Sequence, residues 1–490
     1  MPRWFSYCRG FFMRDTTYKY GRCLAASCIV KITPPADMYH RMWGAALHER
    51  AEGIHQPLEC NVLWLQAASS DECLLILSVD HCLFWKDAND ALKEALSQAT
   101  GIPLGSIVVY FTHTHGAGLM DLSRQELPGG ELIAPYLAEI GQKIADACLS
   151  LSDALIPAWL TAGTGNCGLA TNRDFFDVER EGFVCGFNPL QSADSTLMTI
   201  RVASENGKLI SVISNYACHP TTLAWDNKLI SPDYVGAMRK TMRHALGKVP
   251  IVFVQGASGD VGPREGFVGD VKVAERNGRQ LGLANLEVLA GMPESPQRYS
   301  YDGAVVSGAT IGVWSYKPFT EAEVNDLSEF SAAAREVLLP YREDLGTLES
   351  VTARLEQLEA DGQTAEAQQW TTVQRRDHRA LIERENRKIT RLSTLESTEA
   401  FSYLIRLWTV GEIVLLGLNG ELYNCYQTQV REAVSDRAVM VGSLADGSDC
   451  WYLLDEASYG KGLYQEDASV IRRGGLEMLI SESIKTLNLG

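Results

Sequence analysis

The chain has 490 residues, a hydrophobic fraction of 46% and a formal charge of −17 at pH 7. That apolar content supports a sizeable globular core. The acidity argues against nucleic acid or an anionic membrane as main partner, because both require a basic face, and no apolar run approaches the ~20 residues of a membrane-spanning helix, so no stable membrane insertion is expected.

In chain order, residues 1–27 are basic and aromatic, with no continuous apolar segment ahead of a small-residue cleavage site. They predict an N-terminal extension rather than a secretory signal. Residues 28–490 then predict one large domain. Short β-rich runs, "NVLWLQ", "CLLILSV", "SIVVYF", "LMTIRVA", "LISVISN" and "PIVFVQ", alternate with helical patterns over Asp87–Gln98, Leu132–Leu151, Tyr234–Leu246 and Val271–Leu289. This order predicts an α/β fold with mixed central sheets flanked by helices.

From about Thr320 to Leu395 glycine almost vanishes and charge rises. Val351, Leu355 and Leu358, then Leu381, Ile382, Ile389 and Leu392, keep a helical stripe broken at "ADGQT". An inserted helical hairpin is predicted, as a solvated packing arm or as a lid or contact between copies in a homo-oligomer. Strands return as "YLIRLWTV", "EIVLLGLN" and "AVMVGSL", before a terminal helix over Gly474–Leu487. The twelve cysteines form no C-x-x-C pair, and most lie in or beside apolar runs. That is the pattern of buried thiols in a reducing compartment, and it predicts a cytoplasmic protein.

The chemistry-bearing residues gather where apolar runs end, which in open α/β sheets is where ligands bind. "FTHTHGAG" places His113 and His115 two apart, on one side of an extended strand. Such a pair suits zinc, although hydrogen-bonded core histidines look the same. "NYACHPTTL" puts His219 before a proline in a polar strand exit. "VQGASGDVGPREG" offers small residues that admit close backbone approach, and Asp260, placed to orient a metal-bound histidine. Glu421 in "LNGELYN" is either a metal ligand or a first-turn residue favoured by a helix dipole. "DCWYLLDEASYGKGLYQ" adds Tyr452, Tyr459 and Tyr464.

Taken in order, "KITPPADM", "LSVDHC", "FTHTHGAG", "ATNRD", "NYACHPTTL", "GASGDVGPR", "NGELY" and the tyrosine loop resemble the catalytic domain of the neutral/alkaline, non-lysosomal ceramidases. The resemblance runs from about Val30 to the C-terminus and leaves out the helical insert. It implies one zinc ion held by His113, His219, Glu421 and Tyr452, with Tyr459 as the second choice of tyrosine. It implies His115 as a proton-transfer group and Arg173 facing the substrate, with Asp260 in support.

Two departures stand out. The family's G-D-V-S-P serine is Gly262 here, and T-H-T-H-S-G-P has become "THTHGAG". The family's C-terminal immunoglobulin-like domain also finds no room in this chain. The expected activity is therefore zinc-dependent hydrolysis of an amide bond in a small soluble substrate, by metal-activated water, rather than of long-chain ceramide. Ester, lactone or glycoside hydrolysis, or a non-catalytic ligand-binding role, are the alternatives.

Overall fold

A computed structural model describes residues 17–364, 367–395 and 399–489. Two sheets lie face to face. The larger holds β1 (Lys19–Lys31), β2 (Glu59–Gln66), β3 (Cys73–Val79), β4 (Ile107–Phe111), β5 (Ile156–Asn166), β6 (Thr196–Ser204), β7 (Leu209–Tyr216) and β8 (Ile251–Gln255), in the order β8-β7-β6-β5-β1-β2-β3-β4. The smaller holds β9 (Phe330–Pro340), β10 (Ala400–Val410), β11 (Ile413–Gly417) and β12 (Ala438–Gly442), in chain order.

The period-2 alternation of the strands explains the layering. Leu63, Leu65, Leu74, Ile76, Val108 and Tyr110 turn inward against Trp408, Ile413, Leu415 and Met440 of the smaller sheet. Their neighbours Val62, Trp64, Leu75, Leu77, Val109 and Phe111 turn outward. There they meet α1 (Lys86–Thr100) and α2 (Ile133–Leu149). Helices α3 (Asp233–Leu246) and α4 (Val271–Gly291) cover the other half of that face. The inserted hairpin, α5 (Leu348–Gly362) and α6 (Thr372–Ser393), starts at Thr347 and Thr371, whose side chains cap Ser350 N and Gln374 N. Terminal helix α7 (Gly475–Leu489) packs on the outer face of the smaller sheet through Leu476 and Leu479.

Two boundaries move. Residues 1–16 of the expected extension lie outside the described residues, but β1 starts at Lys19 and sits mid-sheet between β2 and β5. Its alternation is diluted by small residues, which hid it. Likewise the helical insert starts near Leu348 and not at Thr320, because Phe330–Pro340 is strand β9. "SAAAREVLLP" has good helix propensity, yet it pairs antiparallel with β10 along its length. Tertiary pairing overrides the local preference at this edge.

Within these two sheets three strand pairs are parallel: β3/β4, β7/β8 and β11/β12. The chain leaves the carboxyl end of each pair toward one common place. The eleven described cysteines are all free thiols. Among the described residues no helix is long and apolar enough to cross a membrane.

Candidate metal centre

His113 reaches the site from β4, His219 from β7 and Glu421 from β11. The expected strand geometry of His-x-His does not hold, since β4 stops at Phe111 and His113 has a left-handed backbone, φ 66°. That conformation costs a non-glycine residue on the order of 1–2 kcal/mol. It is held by His113 N donating to His81 O at 2.9 Å. The strain turns both imidazoles toward one spot, with ring centroids of His113 and His115 5.0 Å apart.

His113 Nδ1 lies 2.9 Å from Cys82 O, and His219 Nδ1 lies 3.1 Å from Ser258 O. Backbone carbonyls only accept, so both Nδ1 atoms carry the hydrogen. Both Nε2 atoms then present lone pairs, and they face each other at 3.0 Å. Glu421 Oε2 completes the triangle at 3.4 Å from His113 Nε2 and 3.3 Å from His219 Nε2. It is buried without a hydrogen-bond partner among the described residues.

Three buried acceptors converging on one point require a cation. A proton answers the need in part. Burial opposes charge on His113, but the Cys82 sulfur and the Glu421 carboxylate outweigh it and lift its pKa well above the ordinary value. Burial, then Arg173 and His113, press His219 well below it. A divalent ion satisfies all three atoms at once, and two imidazoles with a carboxylate are a donor set that suits zinc. The residues present therefore fit the metal.

Glu421 does not open a helix, which removes the dipole alternative. It begins a two-residue strand, Glu421–Leu422, paired in parallel with Tyr452–Leu453 so that Glu421 and Tyr452 are direct partners. Gly420 before it has φ 87°, and a Cβ there would meet Cys450 Sγ at 2.5 Å, so only glycine fits. Tyr452 stacks on His219 with centroids 6.5 Å apart. Its hydroxyl accepts from Arg173 at 3.1 Å. Tyr459 points away and donates to Ile471 O at 2.8 Å. Tyr464 stands nearer, its ring 5.9 Å from that of Tyr452.

Above this floor lies a cavity of about 490 Å³, lined in part by His115, Arg173, His219, Thr221 and Tyr452. The Nε2 of His115 is buried there without a partner among the described residues. Burial, followed by the charge on His113, holds its pKa well below the ordinary value, so it stays neutral. Arg173 donates to Gly259 O at 2.6 and 3.2 Å, tying the cavity to the "GASGD" loop.

Asp260 takes a different role from the one expected. Its carboxylate accepts from Asn424 N at 2.6 Å and lies 3.4 Å from Asn172 Nδ2. Backbone carbonyls already hold both histidines, so Asp260 braces the loops and does not orient a ligand.

Among the solved structures that share this architecture are two ceramidases. One is neutral ceramidase from Pseudomonas aeruginosa, with TM-score 0.60 and 16% identity over 96% of this chain and 74% of that one. The other is described as a ceramidase complexed with C2, with TM-score 0.62 and 16% identity over 97% of this chain and 76% of that one. The chain has the neutral ceramidase fold. No protein-family model and no curated protein matches the sequence.

Within the ceramidase fold, three features of the cavity escaped the sequence reading: the hydroxyl beside Gly262, an aromatic wall and the inward face of α6. Gly262 leaves space: a Cβ there would sit 3.7 Å from Thr221 Oγ1 and 3.9 Å from His219 Cβ. The buried Thr221 hydroxyl, unpartnered among the described residues, stands beside the vacated position. Ser258, upstream in the same loop, accepts from Gln255 Nε2 at 2.6 Å. An aromatic wall is formed by Trp43, Trp225 and Phe267, with Trp43 6.2 Å from Trp225 and 5.8 Å from Phe267. Finally, α6 closes one side of the cavity with Glu383, Arg384, Arg387 and Arg391. The insert is thus a wall of the site rather than a solvated arm. The Thr-Thr after His219 was the one available signal for Thr221; nothing local marked α6.

Proposed function

We propose that the protein is a zinc-dependent hydrolase acting on an amide bond of a small soluble substrate. The observation that carries this is the convergence of two histidine Nε2 atoms and an unpartnered carboxylate oxygen at the floor of a cavity. In this reading His113, His219 and Glu421 hold the ion, with Tyr452 as fourth ligand. Zinc bound there supplies Lewis acidity and lowers the pKa of a coordinated water from 15.7 to roughly 7.

The chain's own groups do the rest. Neutral His115 accepts a proton from the attacking water at its free Nε2 and returns it to the leaving nitrogen. Thr221 Oγ1 and Arg173 stand beside the floor, placed to donate to the acyl oxygen as it gains charge. Atoms balance: water adds to the acyl carbon, the C–N bond breaks, and acid and amine leave. The cavity of about 490 Å³ suits a compact ligand, and Gly262 brings no hydroxyl of its own; both support a small substrate over long-chain ceramide.

The test is metal analysis of the purified protein, then a panel of small amides, esters, lactones, glycosides and micellar ceramide, each with and without chelator. Chelator-sensitive turnover of small amides is expected. Robust ceramide turnover overturns the choice of substrate, turnover of esters, lactones or glycosides alone overturns the choice of bond, and silence with metal bound overturns the enzyme.

A further inference from the structure

A helix usually buries an apolar stripe. In α6 the buried residues are Glu383 and Arg391, while Leu381 of the apolar stripe is 44% exposed. Glu383, Arg387 and Arg391 recur every fourth residue, so they stack on one face, and all three line the cavity. Buried charges need partners, and most have them. Arg124 grips both Glu383 oxygens at 3.0 Å. Arg387 reaches one at 3.1 Å and Arg41 the other at 3.3 Å.

Counter-charges can be assigned almost completely. Glu49 lies 3.5 Å from Arg41 and is shared with Arg379 at 2.5 Å, and Asp121, 3.6 Å away, answers Arg124. Glu383 answers Arg387, and Asp467 answers Arg384 at 2.9 Å. Arg391 is left over. Among the described residues no carboxylate lies within ion-pairing distance of it, and its guanidinium rests over the Trp451 ring at 4.8 Å. Burial pulls its pKa below the ordinary value despite the longer-range pull of Tyr464 and Asp467. Arg173, in the same cavity, hydrogen-bonds only neutral oxygens, those of Gly259 and Tyr452.

We propose that the substrate amide carries an anionic oxyacid group seated on Arg391 beside Arg387, with its apolar part against Trp43, Trp225 and Phe267. On the α6 wall Arg391 is the guanidinium with no carboxylate in ion-pairing distance among the described residues, and its single charge and planar fork match a carboxylate. N-acylated amino acids have this make-up: a carboxylate, an amide and an apolar acyl group. The anionic group keeps its charge while the neighbouring C–N bond is cleaved by water to acid and amine. This inference rests on the hydrolase reading for the bond cleaved, but not for the group bound.

Binding and turnover are therefore tested apart. N-arylsulfonyl amino acids carry the carboxylate on a sulfonamide that amide hydrolysis leaves intact. Their affinities for zinc-loaded protein are measured by calorimetry, against their methyl esters and against matching sulfate and phosphate compounds. The carboxylates should bind at least about tenfold more tightly than the esters, as a charge-assisted bidentate contact requires. Arg391→Met should bring that ratio to within roughly threefold, and Arg391→Lys should keep part of it.

Equal binding of acid and ester by the wild-type protein overturns the inference whether or not a variant folds. An unchanged ratio in a folded R391M overturns it too, and tighter binding of the phosphate overturns the choice of carboxylate. N-acyl amino acid amides are then assayed for cleavage. Preferential carboxylate binding with no cleavage of any amide sinks the hydrolase reading and leaves this inference standing. Amide cleavage with no preference for the carboxylate does the reverse.

Discussion

At the floor of the cavity, His113 and His219 are locked by backbone carbonyls and meet a carboxylate that nothing else neutralises. At its wall, Arg387 and Arg391 hang from one face of α6, and a cation is left over. The floor gathers acceptor atoms around one point and the wall has a surplus of positive charge. The floor is built by three pairs of parallel strands and their exits, the wall by a helix that a surface insertion carries. A rigid acceptor set aimed at a point suits an ion, whereas side chains on a helix face suit the variable part of a substrate.

The sharpest way to break this contrast is at the floor. His219→Ala should reduce metal affinity by more than the roughly 10–100-fold that loss of a supporting contact brings, and chelator-sensitive turnover should vanish with it. A folded variant with a full equivalent of zinc would falsify the assignment.

At the wall the largest effect should come from Glu383, which faces three guanidiniums. Glu383→Ala strips Arg387 of its only ion-pair partner among the described residues and weakens the pairing of Arg41 and Arg124, and it should cost about 3–5 kcal/mol in urea unfolding. Arg391→Met should cost under about 1 kcal/mol, because no partner is stranded. Equal losses in the two variants would remove the distinction drawn between a structural and a ligand-facing charge.

Acid sharpens the comparison. Burial pushes the Asp449 carboxyl from 3.8 up to about 6, the hydrogen bond from Asn419 offsetting it in part. Its contribution to stability is present below 3.8 and lost as pH rises through 6. Glu383 runs the other way: burial raises it, but Arg387, Arg124 and Arg41 outweigh that and hold it low. Its contribution is present above the ordinary glutamate pKa and lost as pH falls through the depressed value. Asp449→Asn should therefore gain on wild type by roughly 2–3 kcal/mol between pH 4 and pH 8, at 1.36 kcal/mol per pKa unit. A pH-independent difference in urea midpoints would refute the shift.

The smallest effect concerns the missing hydroxyl. Thr221→Val should slow turnover about tenfold, close to 1.4 kcal/mol in the transition state. Gly262→Ser, which has room for its side chain, should recover part of that loss in the T221V background. If T221V turns over at the wild-type rate, the hydroxyl has no part in the reaction.

The helices α1 to α4 and α7 and most strands of both sheets were legible in the sequence, because apolar periodicity follows directly from which face is buried. The grouping of His113, His115, His219 and Glu421 was suggested by the sequence as well, since a strand end admits few polar residues without a reason, whereas Arg173 and the choice of Tyr452 came only from the resemblance to the ceramidases. Strand β1 was not, because small residues blur its alternation, and neither was β9, whose helix-forming composition loses to pairing with β10. Tertiary structure alone placed Asp260 on Asn424 rather than on a histidine, set Thr221 beside Gly262, and turned α6 so that its charges face inward. The physical reason is common to all three. Periodicity reports burial along one element, whereas the partner of a buried polar atom comes from a distant part of the chain, as Arg124 and Glu383, 259 residues apart, illustrate.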